Sequence, residues 1–538
     1  MRYRINQIKM KPGQPHSIFE TAIKHAIGRQ DIDIKNIEII KESIDARKKP
    51  NVRLIYTLDF DCEKNLKLPE APSKAYEAPV KSDDFADLVT DEGMRPVVVG
   101  YGPAGMFASL MLATWGLRPI VLERGQDVDQ RIKAVEKFWE TGKLDTESNV
   151  QFGEGGAGTF SDGKLTTNVK DVRIRRVLEE FVSAGADPAI LYKQKPHIGT
   201  DKLREIVKNI REKTIALGGE FRFSTRLDNI LLDDCGQLVG IIVHDNVTGE
   251  DSKIKTRKLV LATGHSARDT LHMLYDKDIH MEQKPFSIGV RVEHPQEFID
   301  KVQYGDPKLA ELLGHADYKL NYRCDNGRGV YTFCMCPGGY VINSASEDGT
   351  VVTNGMSNSK RDSGTANSGL LVDVRTTDFP SEHPLAGIKF QRMYEKKAYE
   401  VLVASNLDAN VRDDANAVNM PRTTYAKFRE DSNNPLRACL PDFARDAIIE
   451  AMPHLGNKLR GFDDDNTVMT AVETRSSSPV RILRDNTGNS SIRGIMPAGE
   501  GPGYAGGIMS AAIDGIKTAE KLALQIKEEL QGEVSLDE

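Results

Sequence analysis

The spacing of apolar positions changes several times along this chain, and each change marks an element or a boundary. Residues 1–65 open on a strand-like run. A helical spacing follows through Ile18, Ala22, Ile23 and Ala26, and strands are expected near 37–40 and 52–58. This predicts a small N-terminal α+β domain. From 66 to 94, Pro69, Pro72 and Pro79 sit among Lys, Asp and Glu with little periodicity, which predicts a linker. At 95 the pattern becomes strand, glycine turn, helix, strand, with amphipathic helices expected near 127–140, 171–184 and 201–217. Short strands at 221–224, 227–232, 238–244 and 252–256 predict a β-meander, and an apolar strand at 259–262 runs into Thr263-Gly264. Residues 278–475 change to a mixed strand and helix texture, read as an inserted α+β substrate-side domain. The first domain, 95–277, is therefore completed by 476–538.

Composition narrows the class. A chain of 538 residues, 39% hydrophobic and 28% charged, can bury a large core and divides naturally into about three domains. No apolar run reaches the 18 to 20 residues of a membrane helix, and Met1-Arg2-Tyr3-Arg4 is not followed by a signal-peptide apolar region. A cytoplasmic location is expected. Six cysteines in so long a chain, Cys62, Cys235, Cys324, Cys334, Cys336 and Cys439, read as reduced thiols and not as a disulfide framework. Their spacing shows no zinc-ribbon pairing, so no metal is expected. A net charge of -7 argues against whole-surface attraction to nucleic acid or anionic lipid.

The strongest chemical signal is Val97-Val98-Val99-Gly100-Tyr101-Gly102-Pro103-Ala104-Gly105, a β-branched strand entering G-x-G-x-x-G and then a helix. Gly100 permits the tight turn, Gly102 lets backbone approach a pyrophosphate, and Gly105 lets helix and strand pack closely. Pro103 and Ala104 belong to the turn, and the helix expected over 106–115 offers free N–H groups at its N-terminus to phosphate oxygens. A second strand then delivers Glu123, eighteen positions beyond Gly105, where a carboxylate accepts from a ribose diol; Arg124 follows it. Strand, turn, helix, second strand and acid together point to a dinucleotide.

Two more glycine clusters, Gly153-x-Gly155-Gly156-x-Gly158 and Gly501-x-Gly503-x-x-Gly506-Gly507, follow no apolar strand in a complete βαβ unit and are not read as NAD sites. FAD is longer than one glycine turn can cover, so its flavin end needs close backbone approach from distant segments, and such clusters supply it. The second cluster, with Ala505, precedes a small-residue helix starting near Ile508, and that helix's N-terminus is suited to stabilise negative charge on a reduced flavin. FAD is the cofactor expected, with NADH or NADPH as a transient electron donor, since no second full dinucleotide fingerprint is present.

The order of these segments, with Ala262-Thr263-Gly264 in the middle and Ala498-Gly499-Glu500 near the end, resembles the FAD motifs of the glutathione-reductase-like flavoprotein superfamily. Within it, residues 153–165, ending Gly163-Lys164-Leu165, together with Phe286-Ser287-Ile288-Gly289-Val290-Arg291 and Cys334-Met335-Cys336-Pro337-Gly338-Gly339, resemble the uncharacterised FAD-dependent proteins of bacteria. The resemblance implies a Rossmann-type FAD-binding fold and no particular substrate. By position it implies that the Leu227 backbone reads the adenine, that Gly264 lies near the pyrophosphate, and that Glu500 stands where an Asp commonly contacts the ribityl or phosphate region. Lys164 and Leu165 are placed with the cofactor on the same ground.

Candidates for chemistry are fewer. Cys334-Met335-Cys336 lacks the C-x-x-C helix-start geometry that activates a thiol, so buried packing is favoured over a redox pair. Arg475, in Glu473-Thr474-Arg475, and Arg291 are substrate-binding candidates, each equally well read as structural; His265 carries the same ambiguity. No catalytic residue is assigned. An FAD-dependent oxidoreductase acting on a small molecule is the expected function. The alternatives are a flavin-dependent RNA-modifying or RNA-binding protein, and a non-catalytic flavin sensor. The RNA reading rests on the N-terminal domain, where up to Phe60 twelve Lys or Arg face seven Asp or Glu, with Arg47-Lys48-Lys49 and Arg53 on one stretch. Oligomeric state is left open.

Overall fold

The computed structural model describes residues 1–72, 76–85, 95–406 and 420–534. Its centre is a five-stranded parallel sheet in the order Ile495–Pro497, Leu259–Leu261, Val97–Val99, Ile120–Leu122, Glu220–Arg222. The first four of these strands are buried on both faces, which is why they read as unbroken apolar runs. Alternation still sorts their side chains. Val98, Val121, Val260 and Met496 join one core with helices Pro103–Thr114, Thr200–Ala216 and Ile508–Val534. Val97, Val99, Ile120, Leu122, Leu259 and Leu261 join a second core on the opposite face. Helix Pro103–Thr114 is apolar all round, with every residue from Ala104 to Ala113 buried, so it lies inside the domain and not on its surface.

The second face is covered by an antiparallel sheet of Thr225–Leu232, Leu238–Asp245 and Asp251–Lys255. Here the expectation for 221–224 is corrected. Glu220–Arg222 is the fifth strand of the parallel sheet, and the meander begins at Thr225. Ser224, with φ 51°, kinks the chain between the two, and its N–H donates to the Gly125 carbonyl at 2.8 Å.

The chain leaves this domain along Met281–Gln283 and returns along Val480–Ile482, two strands paired antiparallel, so the inserted domain is tethered at adjacent points. That domain is a six-stranded antiparallel sheet in the order Asn321–Arg323, Gly329–Cys336, Thr365–Val374, Phe286–Pro295, Val468–Glu473, Arg422–Thr424. Helices Ala386–Asn406 and Asp442–Lys458 contribute to its core, where Ile288, Val290 and Val292 meet Ile448, Met452 and Leu455.

The N-terminal domain is a three-stranded antiparallel sheet, Arg2–Met10, Arg53–Asp61, Lys35–Asp45, with helix Phe19–Ile27 packed on it. It docks on both neighbours. Glu42 exchanges backbone hydrogen bonds with Tyr192 and Gln194 of the first domain, and Lys49 Nζ donates to the Val302 carbonyl of the inserted one. Its basic stretch is partly engaged: Arg47 closes on Asp45 and Arg53 donates to the Val52 carbonyl.

The segment read as a linker is more structured than its pattern suggests. Leu66 lies in the N-terminal core, Val80 and Phe85 lie in the core of the first domain, and Tyr76 donates to Glu520 at 2.6 Å. These apolar residues are too irregularly spaced to produce a period, yet each finds a pocket. Residues 73–75 and 86–94 of that stretch lie outside the described residues.

Candidate cofactor and active site

One cavity of about 610 Å³ runs from the glycine turn to the sheet of the inserted domain. Gly100, Gly102, Pro103 and Ala104 line it, and Gly105 lies behind them. A Cβ on Gly105 would stand 1.9 Å from the Gly100 carbonyl oxygen, so only glycine lets the helix start this close to the strand. The helix carries no side-chain cap: Gly102 is extended and its first internal bond runs from Met106 N–H to the Gly102 carbonyl. The N–H groups of Ala104 and Gly105 thus fall in the first turn, where a helix has no carbonyl for them, and a phosphate fits there.

Glu123 sits at the end of Ile120–Leu122 and is buried. Its carboxylate accepts from three backbone N–H groups, Tyr101 at 2.8 Å, Gly125 at 3.0 Å and Gly153 at 2.9 Å. Of roughly four acceptor positions on a carboxylate, one is left, on Oε2, for a ribose hydroxyl. Glu123 therefore also organises the turn, drawing the Gly153 segment toward Gly102. Arg124 lines the cavity beside Leu227, but its guanidinium is bound by Glu147 and Asp269 and stacks on Phe152 at 4.2 Å, so it forms wall and not free charge.

Gly156, Lys164, Ala262, Thr263 and Gly264 line the cavity as well, as do Glu500, Gly507 and Ile508. Besides Gly105, four residues expected at the cofactor stand behind this lining. Gly155 packs against Thr159 and Val207, and Leu165 belongs to the core. Gly499 donates its N–H to Asp514 at 2.7 Å, and Ala505 packs against the helical core. They shape the wall without facing the cavity. The donor set, the glycine cradle and the uncapped helix fit FAD.

At the far end the inserted domain contributes Thr332, Cys334, Thr353, Asn354 and Glu473. None except the cysteine and Glu473 carried a signal in the sequence, because their position depends on the register of non-adjacent strands. Glu500 and His265 meet at this end, with His265 Nε2 3.6 Å from Glu500 Oε1. Burial pushes the Glu500 carboxyl up to about 7, opposed by the Gly507 N–H and the Lys284 charge. Burial, reinforced by the charges of Arg475 and Arg268, pushes His265 down to about 3, so its ring is uncharged at neutral pH. His265 Nδ1 is buried without a hydrogen-bond partner among the described residues.

The two arginines proposed to hold substrate both have internal partners. Arg291 is fully buried and does not line the cavity; it donates to Glu473, Asn367, Asn354 and the Cys334 carbonyl. Arg475 reaches the lining, but it donates to Glu395, Ser266 and Ser346. Arginines without an internal partner are not distinguishable from these in a sequence; Arg291 is corrected to framework, while Arg475 stands in the cavity wall with internal partners. Among the described residues no group of three or more His, Cys, Asp or Glu is placed to hold a metal, and no helix is long and apolar enough to cross a membrane.

A parallel sheet with a glycine turn, a buried acid at the end of its second strand and one continuous cavity beside them defines a Rossmann-type FAD-binding protein. Comparison with known proteins gives its family. Residues 285–476 match the model of the FAD-dependent protein, C-terminal domain-like family, and residues 2–61 match a domain of unknown function, DUF8436. The chain is 43% identical over 541 aligned positions to an uncharacterised protein of Clostridium beijerinckii, covering 97% of this chain and 98% of that one. It belongs to this family of FAD-dependent proteins. Among solved structures it is similar to an FAD-complexed glycerol-3-phosphate dehydrogenase from Bacillus halodurans, at 14% identity and TM-score 0.36 over 82% of this chain and 67% of that one. A flavoprotein/dehydrogenase from Cytophaga hutchinsonii matches at 11% identity and TM-score 0.34, over 81% and 79%.

Proposed function

We propose that the protein is an FAD-dependent oxidoreductase whose small-molecule substrate binds between the Gly507-Ile508 helix start and the sheet of the inserted domain. The observation that carries this reading is the continuity of the cavity: the same space is lined by Gly102 and Glu123 at one end and by Thr332, Asn354 and Glu473 at the other. Bound FAD supplies hydride or electron transfer. Around it the chain supplies groups suited to protons and orientation. Glu500, with its carboxyl near neutral pH in affinity, can give or take a proton at the cavity surface, where a quarter of its side chain is exposed. His265, held neutral, presents Nδ1 as a hydrogen-bonding atom with no partner among the described residues.

The test is an anaerobic visible spectrum of the purified protein with NADH and then NADPH. Flavin bands that bleach support an oxidoreductase and identify its donor. Bands that no donor bleaches, dithionite included, would leave a flavin without redox work and refute it.

A further inference from the structure

Cys334 and Cys336 are brought to the cavity by an irregularity in their strand. Gly329–Cys336 pairs with Thr365–Val374 in register up to Phe333 opposite Gly369, and pairing then resumes with Cys336 opposite Asn367, so one residue is extra. Within this bulge Cys334 adopts φ 42°, a left-handed conformation rare for a residue with a side chain. In a regular strand, residues two apart have Cα atoms about 6.6 Å apart, near the limit of about 6.8 Å that a disulfide spans. Here the Cys336 sulfur is folded back to 3.3 Å from the Cys334 carbonyl oxygen, which keeps the two cysteines together inside the bulge.

The surroundings distinguish the two thiols. Cys334 lines the cavity with Glu500 and Lys164, whereas Cys336 is fully buried. Cys336 Sγ lies 3.3 Å from the Cys334 carbonyl oxygen, and Arg291 donates to that carbonyl at 3.2 Å while lying 4.0 Å from Cys336 Sγ. A hydrogen bond from Cys336, aided by the positive charges of Arg291 and Lys164, holds the Cys334 thiol well below its usual range, and the same bond together with burial holds Cys336 well above it. One sulfur is thus set to be a thiolate and the other to keep its proton. Cys324 and Cys439 are occupied elsewhere, on the carbonyls of Ala447 and Pro435.

We propose that Cys334 and Cys336 form a dithiol/disulfide pair that exchanges two electrons with the flavin, a role that rests on the FAD site described above. In the reducing direction the Cys334–Cys336 disulfide accepts two electrons from the reduced flavin anion, and its S–S bond breaks. The Cys334 sulfur leaves as thiolate, and the Cys336 sulfur takes up the proton released as the flavin is oxidised. The reverse step forms the S–S bond, returning two electrons and that proton to the flavin. The bulge and Arg291 thereby supply what C-x-C lacks in a helix-start motif.

Anaerobic dithionite titration of the air-oxidised holoprotein, followed by mass spectrometry of the peptide containing both cysteines, tests this. The wild type should accept two electrons beyond the two taken by flavin, and its oxidised peptide should be lighter by two hydrogens. A long-wavelength thiolate–flavin absorption should appear at half reduction. Cys334→Ser and Cys336→Ser should each keep the flavin bands and titrate with two electrons only. A wild type that titrates with two electrons, its two cysteines alkylated equally before and after reduction, overturns the pair while leaving the flavin reading intact. Absence of flavin bands after reconstitution overturns both.

Discussion

Arg475 clamps Glu395 with two hydrogen bonds, from Nε to Oε1 at 3.1 Å and from its terminal nitrogen to Oε2 at 3.0 Å. Arg268 grips the same carboxylate from another side, at 2.8 and 2.9 Å, and Thr474 adds a hydroxyl at 2.8 Å. The three charged groups are buried between the FAD-binding domain and the inserted one, so they fix the relative position of the two walls of the cavity.

Glu395→Gln removes the buried counter-charge of Arg475 and leaves Arg268 only Glu347, at 3.2 Å, and is expected to cost about 3–5 kcal/mol. A drop in the urea midpoint reports it. The paired arginines hold the Glu395 carboxyl well below its usual range, although burial itself opposes this. Its contribution is therefore complete above the ordinary carboxylate pKa and is lost as the pH falls through and below it. The difference in midpoint between wild type and variant should shrink in acid.

His265 gives a second window. Its folded pKa of about 3 lies below the unfolded value of 6.5, so the unfolded chain binds the extra proton between these limits and stability rises with pH across them. Between pH 7 and pH 5 the wild type should lose about 2 kcal/mol from this residue alone. His265→Gln should flatten that part of the curve; an unchanged slope in urea melts at the two pH values would contradict the burial of a neutral ring.

Glu500→Gln should retain flavin, because the side chain makes no contact needed by the glycine turn. Turnover should fall by roughly 10²- to 10⁴-fold, and a limb of the pH–rate profile near pH 7 should disappear. Stopped-flow reduction across pH is the measurement. A variant that keeps the same pH profile would remove Glu500 from proton transfer.

Gly105→Ala places a methyl against the Gly100 carbonyl oxygen, where backbone must move to make room. The expected outcome is protein purified without yellow colour and unresponsive to added FAD. Glu123→Ala should weaken FAD binding by a different route: it leaves the N–H groups of Tyr101, Gly125 and Gly153 unpaired, at about 1–3 kcal/mol each where buried.

Local chemistry made much of this protein readable in advance. The turn from Gly100 to Gly105 and the acid at Glu123 were legible because each obeys a short-range rule, a φ above zero, a close approach, or a fixed offset along one βαβ unit. Helices Val128–Thr141, Arg173–Ser183 and Thr200–Ala216 declared themselves through the 3.6-residue period. Strand Glu220–Arg222 was misassigned because three half-buried residues carry no period long enough to show which sheet they join.

What escaped was everything set by distant partners. Arg475 and Arg291 were open between substrate-binding and structural roles in the sequence, because their partners Glu395 and Glu473 lie 80 and 182 positions away. The nearness of His265 to Glu500, and of Cys334 to both the cavity and Arg291, depends on which strands pair and in which register. The amino-acid sequence by itself determined the cofactor turn, because that turn is satisfied by its neighbours along the chain. Only the tertiary structure decided the chemistry at the far end of the cavity, because burial, charge and register there arise from segments that meet only when the chain is folded.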